Sequence, residues 1–233
     1  MGHSTLLLRL AGPMQSWGVK SRFDRRDTGL EPSKSGVVGL LCSALGRDRS
    51  ADLSDLAGLE MGVRADEPGV LAVDYQTVEG VPPASGKGNL QTVQSYRWYL
   101  ADAVFLVALS GPGEVIAGAR DALERPRWLM ALGRKSYVPT PPVVIGTTEM
   151  SVGEALRSTP WLASSARSRA RAKRSGRVDA RVVRDCAPDD AHEWRQDLPV
   201  SFEPRRFLRR PVRLEQVRLE GELLERECVW SST

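Results

Sequence analysis

The stretch PSKSGVVGLLCSAL, residues 32–45, contains the element from which the fold can be worked out. Its apolar residues Val37, Val38, Leu41 and Leu45 recur at helical spacing, so we predict a helix over 34–45 that buries one face. Pro32 and Ser33 are typical of a helix start. Gly46 is typical of the residue that ends one. The stretch therefore predicts a short core helix with defined ends.

Upstream of this helix, residues 5–11 are mostly apolar and are stopped by Gly12 and Pro13, which predicts a buried strand. The segment 15–31 between strand and helix is polar and aromatic, and it carries several cations. The opening unit is therefore strand, basic loop, helix.

Downstream, strands are predicted over 61–64 and 70–78. The Gly/Pro-rich segment 79–89 is flanked by β-prone runs, which predicts a long protruding hairpin over 73–109 with a flexible tip. Further patterns predict helices over 51–59, 113–125 and 152–156, a strand over 143–149, and strands in 198–224.

This order of elements predicts an α+β protein. The pattern is that of a ferredoxin-like (RRM-like) βαββαβ domain over residues 1–150 with the hairpin inserted in its middle. Residues 151–233 are expected to add a basic loop and a β-rich C-terminal extension that complete the same domain. The topology is common among RNA-binding proteins but also hosts unrelated functions, so it does not decide the function.

The charge of the chain is concentrated locally. Lys and Arg number 33 against 29 acidic residues, a net charge of +4, and 28 of the 33 are arginine. Residues 164–184 hold eight cations and one acid, Asp179. The cations of this basic stretch nearest its start are Arg167, Arg169, Arg171, Lys173, Arg174 and Arg177. They suit the path of a nucleic acid, although a solvated basic loop explains them equally well.

Other classes of function find little support. The three cysteines are widely spaced without a CxxC or a histidine pair, so we expect neither a disulfide framework nor a metal site, and no cofactor motif is present. The apolar run 6–8 is too short for a signal peptide or membrane span, so we expect a cytoplasmic protein without a membrane partner.

Two loops and a helix start carry residues suited to RNA. In the first loop Trp17 could stack on a base or fill the core beside the helix, and its neighbours could bond bases and phosphates. At the helix start the free N–H groups favour an anion, whereas Lys34 could also be simply solvated. The 133–137 loop combines cations with an aromatic ring. The candidate RNA-binding residues are Gln15, Ser16, Trp17, Lys20, Arg22, Lys34, Ser35, Arg134, Lys135, Ser136 and Tyr137.

Five blocks of the chain resemble, in order, the Cas-five family of the RAMP superfamily, in the form found as a subunit of type I-E CRISPR Cascade complexes. The blocks are LRLAGPMQSWG (8–18), PSKSGVVGLL (32–41), YLADA (99–103), LGRKS (132–136) and LPVSFEPR (198–205). The resemblance implies a ferredoxin-like domain with a β-hairpin thumb that binds the 5′ handle of the CRISPR RNA and caps the foot of the complex.

The resemblance also implies the partners: CRISPR RNA, the Cascade backbone subunit and the large subunit, with target DNA met indirectly through the complex. Lys87, Asn89 and Arg97 are then expected to make thumb and partner contacts. We expect no catalysis, because His3 and His192 are the only histidines and neither lies in a matched block. The alternatives are a metal-independent endoribonuclease, as in the type I-C relative, and a small-molecule enzyme on the same fold.

Overall fold

The structure is a computed structural model that describes residues 2–18, 24–163 and 165–225. The described chain forms a mixed α+β fold, as predicted. The helices are α1 (Lys34–Leu45), α2 (Ser54–Ala57), α3 (Gly113–Glu124), α4 (Val152–Ser158), α5 (Ala166–Ser175) and α6 (Glu222–Glu225). The strands are β1 (His3–Ala11), β2 (Met14–Gln15), β3 (Arg25–Arg26), β4 (Glu60–Glu67), β5 (Val70–Val81), β6 (Gln91–Ala101), β7 (Val104–Pro112), β8 (Val144–Thr148), β9 (Arg177–Asp185), β10 (Glu193–Phe202) and β11 (Arg205–Glu220).

Seven strands form one antiparallel sheet in the order β10-β11-β9-β4-β7-β1-β8. The chain runs from β1 through α1 to β4, and from β7 through α3 to β8. Because β9 pairs with β4, the C-terminal strands extend the same sheet that the N-terminal strands begin.

Helices cover both faces of the sheet. Leu6, Leu8 and Leu10 of β1 point to the face covered by α1 and α3, where they join the larger core cluster. Leu7 points to the opposite face, against α4. Alternate residues of β1 are thus buried on opposite sides, which explains why it appears in the sequence as a continuous apolar run. No helix among the described residues is long and apolar enough to cross a membrane.

The predicted hairpin is present with shifted bounds. β5 and β6 pair from Val70 to Ala101, and the 82–90 segment forms the tip. The prediction of 73–109 ran too far because residues 104–109 belong to β7, a central strand of the main sheet. The chain turns at Asp102, whose φ is +54°, a conformation that asparagine and aspartate tolerate better than most residues. The β-prone run 93–109 therefore contains most of β6, which pairs with β5 in a second, smaller sheet, and part of β7 of the main sheet.

The basic stretch is not the predicted loop; it consists mainly of helix α5 and the strand β9 that follows. The Ser165 hydroxyl accepts a hydrogen bond from the N–H of Ser168 at the start, and Gly176 with φ +66° ends the helix. Alanine, arginine and lysine between them are good helix formers. Only Ala172 of α5 is buried, so the sequence lacked the apolar period by which helices are recognised.

A buried ionic cluster fixes the start of α1. The Asp197 carboxylate accepts the backbone N–H of Lys34 at 2.8 Å and two N–H groups of Arg210 at 2.7 and 3.0 Å. Asp185 pairs with the Lys34 ammonium at 2.9 Å and with Arg210, and it also accepts the N–H of Met61. The cluster thereby ties α1 to β4, β9, β10 and β11.

We expect Asp197→Ala to destabilise the fold strongly. Asp197 is only 2% exposed, and its loss leaves the buried Arg210 guanidinium short of a partner, which costs about 3–5 kcal/mol. Urea unfolding followed by circular dichroism measures the loss. The matched control is Asp190→Ala, because the exposed Asp190 carboxylate makes only a long ion pair, at 4.0 Å, with Arg213. We expect its free energy of unfolding to change by about 0.5 kcal/mol or less. Equal losses in both variants would contradict the role of the cluster.

Candidate nucleic-acid interface

A large groove crosses the α1 face of the protein. Its volume is about 1340 Å³, and α1 contributes residues from Ser35 to Ser43. The walls come from the loop after β2, the segment after α1, the segment 127–135 after α3, and the β10–β11 turn with Phe202 and Phe207. Segments distant in sequence therefore meet at one surface.

The N-terminal half of α1 is held against the first loop by a close contact. The indole of Trp17 lies so near Gly36 that a Cβ on Gly36 would be 2.8 Å from Trp17 Cε3. Ser33 precedes the helix, and its hydroxyl accepts the N–H of Gly36. Only a glycine at position 36 leaves room for this ring.

The C-terminal end of α1 anchors the opposite wall. The backbone N–H of Arg127 donates to Ala44 O at 2.8 Å, and that of Trp128 donates to Ser43 O at 3.1 Å. These bonds satisfy carbonyls that a helix end leaves free. They also hold Arg127 and Trp128 at the edge of the groove, where the Trp128 side chain is 44% exposed.

The 132–137 loop packs directly on the first loop. The N–H of Ser16 donates to Leu132 O, and Gly133 has φ +92°. A Cβ on Gly133 would lie 1.7 Å from Ser16 O, so glycine is required both for the conformation and for the approach. Two loops that are far apart in the sequence thus form one wall.

The groove is strongly basic. Seven of its lining residues are cations and two, Asp27 and Asp48, are acids. Arg47 is paired with Asp55, and Arg134 is engaged by neighbouring protein groups. Within the described ranges the other five have no ion-pair partner: Arg26, Arg49, Arg127, Lys135 and Arg205. Unpaired cations beside a half-exposed indole can neutralise phosphates while a base stacks.

Two residues of the first loop are buried rather than available to RNA. Trp17 is 1% exposed, and its Nε1 donates to Gln15 Oε1 at 3.2 Å. Gln15 is fully buried and its amide donates to the carbonyls of Leu10 and Ala103. Of the two roles open to Trp17, packing beside the first helix is the one that the structure shows, and Gln15 holds that arrangement together.

Lys34 and Tyr137 also differ from the expectation. Lys34 is 5% exposed, and its ammonium is committed to Asp185 instead of a phosphate or solvent. Tyr137 is 4% exposed; its ring contacts Tyr99 and its hydroxyl accepts from Arg134 Nη1 at 2.8 Å. Both side chains serve the protein interior, so neither belongs to the exposed interface.

Five of the predicted residues line the groove: the largely buried Trp17, and Ser16, Ser35, Arg134 and Lys135. Lys135 is exposed, whereas Arg134 is half-buried and donates to Trp98 O at 2.9 Å, so it also braces the wall. Ser136 is exposed beside them without lining the groove. Lys20 and Arg22 lie outside the described residues.

The remaining predicted residues lie elsewhere. Lys87 and Asn89 are exposed at the hairpin tip, and Arg97 lies on β6, where its Nε donates to Ser95 Oγ. Arg167, Arg169, Arg171, Lys173 and Arg174 lie on α5, and Arg177 begins β9. None of these residues lines the groove.

The groove also has lining residues that were not predicted from the sequence. Arg49, Arg127, Trp128 and Arg205 were not among the candidates, although all line the groove. The signal available for two of them was the segment RPRW at 125–128, where cations and an aromatic residue directly follow a predicted helix end. For Arg205 the available signal was the block LPVSFEPR, in which Phe202 precedes it by three positions.

One titratable group of the groove has a strongly shifted pKa. Burial raises the pKa of the Cys42 thiol to about 11. The thiol is therefore protonated at neutral pH, and Cys42 is a poor nucleophile there.

We expect Gly133→Ala to destabilise the protein by at least about 2 kcal/mol, because it forces a positive φ on a residue with a Cβ and a clash with Ser16 O. Thermal unfolding measures the change. The control is Gly118→Ala on α3, where a Cβ meets no atom within 4 Å; it should be neutral or stabilising by up to about 1 kcal/mol. A neutral Gly133→Ala would show that the loop packing is not required.

Comparison with known proteins identifies the family. A family model described as "CRISPR-associated protein (Cas_Cas5)" matches residues 5–214. The chain is 39% identical over 163 residues to "CRISPR system Cascade subunit CasD" of Escherichia coli (strain K12), an alignment that covers 64% of this chain and 73% of that protein.

Two solved structures share the fold. One, "Crystal structure of Cas protein", has a TM-score of 0.73 and 41% identity, covering 93% of this chain and 98% of the other. A chain of a "CRISPR RNA-guided surveillance complex" has a TM-score of 0.76 and 33% identity, covering 94% and 92%. By the length of the family match, the chain belongs to the Cas5 family of CRISPR-associated proteins.

Proposed function

We propose that the protein is a non-catalytic, RNA-binding subunit of a Cascade-type surveillance complex and that its groove holds the 5′ handle of the CRISPR RNA. The similarity to E. coli CasD and to a chain of an RNA-guided surveillance complex supports the assembly. The backbone subunit and the large subunit of such a complex are its expected protein partners, and the cytoplasm is its expected compartment.

The proposal includes a ferredoxin-like core. β1, β4, β7 and β8 lie in the spatial order β4-β7-β1-β8, all antiparallel, with α1 and α3 packed on one face. The hairpin β5–β6 is inserted between the second and third of these strands. This arrangement supports a βαββαβ unit with a thumb in its middle, extended by β9, β10 and β11.

The observation that carries the proposal is the combination of unpaired cations and a half-exposed indole in one groove. A single-stranded RNA offers both unstacked bases and phosphates, and proteins bind it by stacking and by charge. The groove supplies both kinds of contact side by side. The exposed Trp128 also distinguishes the groove from a surface that could bind RNA by charge alone.

The hairpin provides a second surface for the assembly. One of its faces carries the half-exposed apolar residues Leu71, Val73, Tyr75, Tyr96 and Trp98. Tyr75 and Tyr96 pair across the strands with ring centroids 5.1 Å apart. Contiguous exposed apolar surface is typical of subunit contacts, so we assign this face and the tip with Lys87 and Asn89 to neighbouring subunits.

We expect Trp128→Ala to weaken binding of the CRISPR RNA handle by roughly 5- to 150-fold, the equivalent of about 1–3 kcal/mol for one stacked base. Arg127→Gln should reduce the slope of log affinity against log salt concentration by about 0.7 for each phosphate contact that is lost. Fluorescence anisotropy with a labelled handle RNA measures both. Arg125→Gln is the matched control, since Arg125 is an exposed neighbour outside the groove.

Unchanged affinity in both groove variants would refute the assignment of the RNA to this groove. The assembly itself is tested independently by co-purification of the chain with a tagged backbone subunit and CRISPR RNA. Failure of the chain to enter that complex would contradict the subunit role even if the groove bound RNA.

The alternative is an endoribonuclease, which needs a base near the RNA. His3 is exposed at the start of β1, and His192 is exposed with Nδ1 3.1 Å from Leu214 O; neither lines the groove. We therefore expect purified protein to leave repeat RNA intact in a gel assay without added metal. Specific cleavage that disappears in His192→Ala would overturn the non-catalytic proposal.

A further inference from the structure

Helix α5 is an exposed basic surface separate from the groove. Its ten residues, Ala166–Ser175, contain five cations and no acid. All five cationic side chains are exposed, whereas Ala172 on the inner face is buried. No residue of α5 lines the groove, so the two basic surfaces are distinct.

The protein leaves most of this charge uncompensated. Arg169 is held by the chain, since its Nε donates to Ala163 O. Arg167, Arg171, Lys173 and Arg174 have no ion-pair partner in the part of the chain that the structure describes. The nearby carboxylates of Asp179 and Glu220 are both engaged by Arg218. Four like charges gathered on one helix repel each other and are stabilised when an anion binds.

The spacing of the charges suits a regular row of phosphates. Arg167, Arg171 and Arg174 follow each other at i, i+4 and i+7, which places them along one face. At about 1.5 Å per residue the row extends roughly 10 Å. A double helix carries one phosphate per about 1.7 Å of axis, so several phosphates lie within this length.

The chemistry of α5 differs from that of the groove in one decisive respect. The helix sequence ARSRARAKRS contains no aromatic residue, so it cannot stack an unpaired base as the groove can through Trp128. A duplex hides its bases and presents phosphates, which are what arginine and lysine recognise. An exposed helix also fits the major groove of B-DNA, about 12 Å wide, better than the narrow one of duplex RNA.

We propose that α5 binds the phosphate backbone of double-stranded DNA without reading its sequence. Arg167, Arg171, Lys173 and Arg174 supply the contacts, with Arg177 adjacent at the start of β9. The chain then meets DNA directly through α5 as well as RNA through the groove. This proposal does not depend on RNA occupying the groove.

The test is fluorescence anisotropy with the purified full chain and a labelled 30-base-pair duplex DNA of arbitrary sequence. We compare the chain with the quadruple variant Arg167→Gln, Arg171→Gln, Lys173→Gln, Arg174→Gln; glutamine keeps helix propensity while removing charge. The matched control replaces four exposed arginines outside α5 and the groove: Arg120, Arg125, Arg206 and Arg209.

We expect the quadruple variant to bind duplex DNA at least about tenfold more weakly at 100 mM salt, with a log–log salt slope smaller by about 3. The control should change the slope by less than about 1. Circular dichroism checks that each variant is folded. If the quadruple variant does not fold, the double variant Arg167→Gln, Arg171→Gln replaces it, and its salt slope should fall by about half as much.

Two results would overturn the proposal. One is an equal loss of duplex affinity in the α5 variant and the control, which would show that duplex binding depends on the net charge of the protein and not on α5. The other is a loss of affinity for the single-stranded handle RNA with duplex binding intact, which would make α5 an RNA surface. The groove variant Trp128→Ala, measured on both ligands, should lose RNA affinity alone, so the two proposals fail independently.

Discussion

The buried cluster of Lys34, Asp185, Asp197 and Arg210 is the constraint on which the candidate interface depends. α1 forms much of the groove, and this cluster fixes where the helix begins relative to β9, β10 and β11. Buried ion pairs add little net stability, because desolvation offsets the attraction, but removing one partner is costly. We infer that the cluster specifies one placement of the C-terminal strands against α1. The turn between β10 and β11, with Phe202, Arg205 and Phe207, can therefore contribute to a groove whose other walls are formed more than sixty residues earlier.

A second set of contacts supports the same helix from outside the cluster. Glu31, which precedes α1, is buried and pairs with both Arg181 of β9 and Arg195 of β10. At the far end, the backbone of Arg127 and Trp128 bonds to the last turn of α1. Both ends of the helix are thus held by segments distant in sequence. The α1 wall of the groove is thus fixed by the protein itself, so RNA binding there, as proposed, would require little ordering of this wall.

What could be predicted from the sequence was local, and what could not was decided by distant partners. β1 and α1 follow from apolar spacing, a Ser33 cap and the Gly46 stop, all within a few residues. The Lys34 ammonium is buried through its contact with Asp185, which is 151 positions away, so nothing near Lys34 in the sequence indicates that its charge is buried. Trp17 is buried because Gly36 admits its ring, again a contact across the fold. The contact between the loops at 15–17 and 132–137 is likewise long-range, whereas the segment after α3 has a local signal, the cations and tryptophan of RPRW at 125–128.

The distribution of partners among the cations matters more for function than the net charge of +4. Inside the fold, carboxylates take up arginines: Asp66 pairs with the fully buried Arg64, Glu31 with two arginines, and Asp185 and Asp197 with Arg210. Each pair removes an acid from the surface together with a base. Among the described residues, five cations without an acidic partner line the groove and four more lie on α5. Under the two proposals made above, the exposed Trp128 suits the groove to an unpaired strand, and the absence of an aromatic residue suits α5 to a duplex.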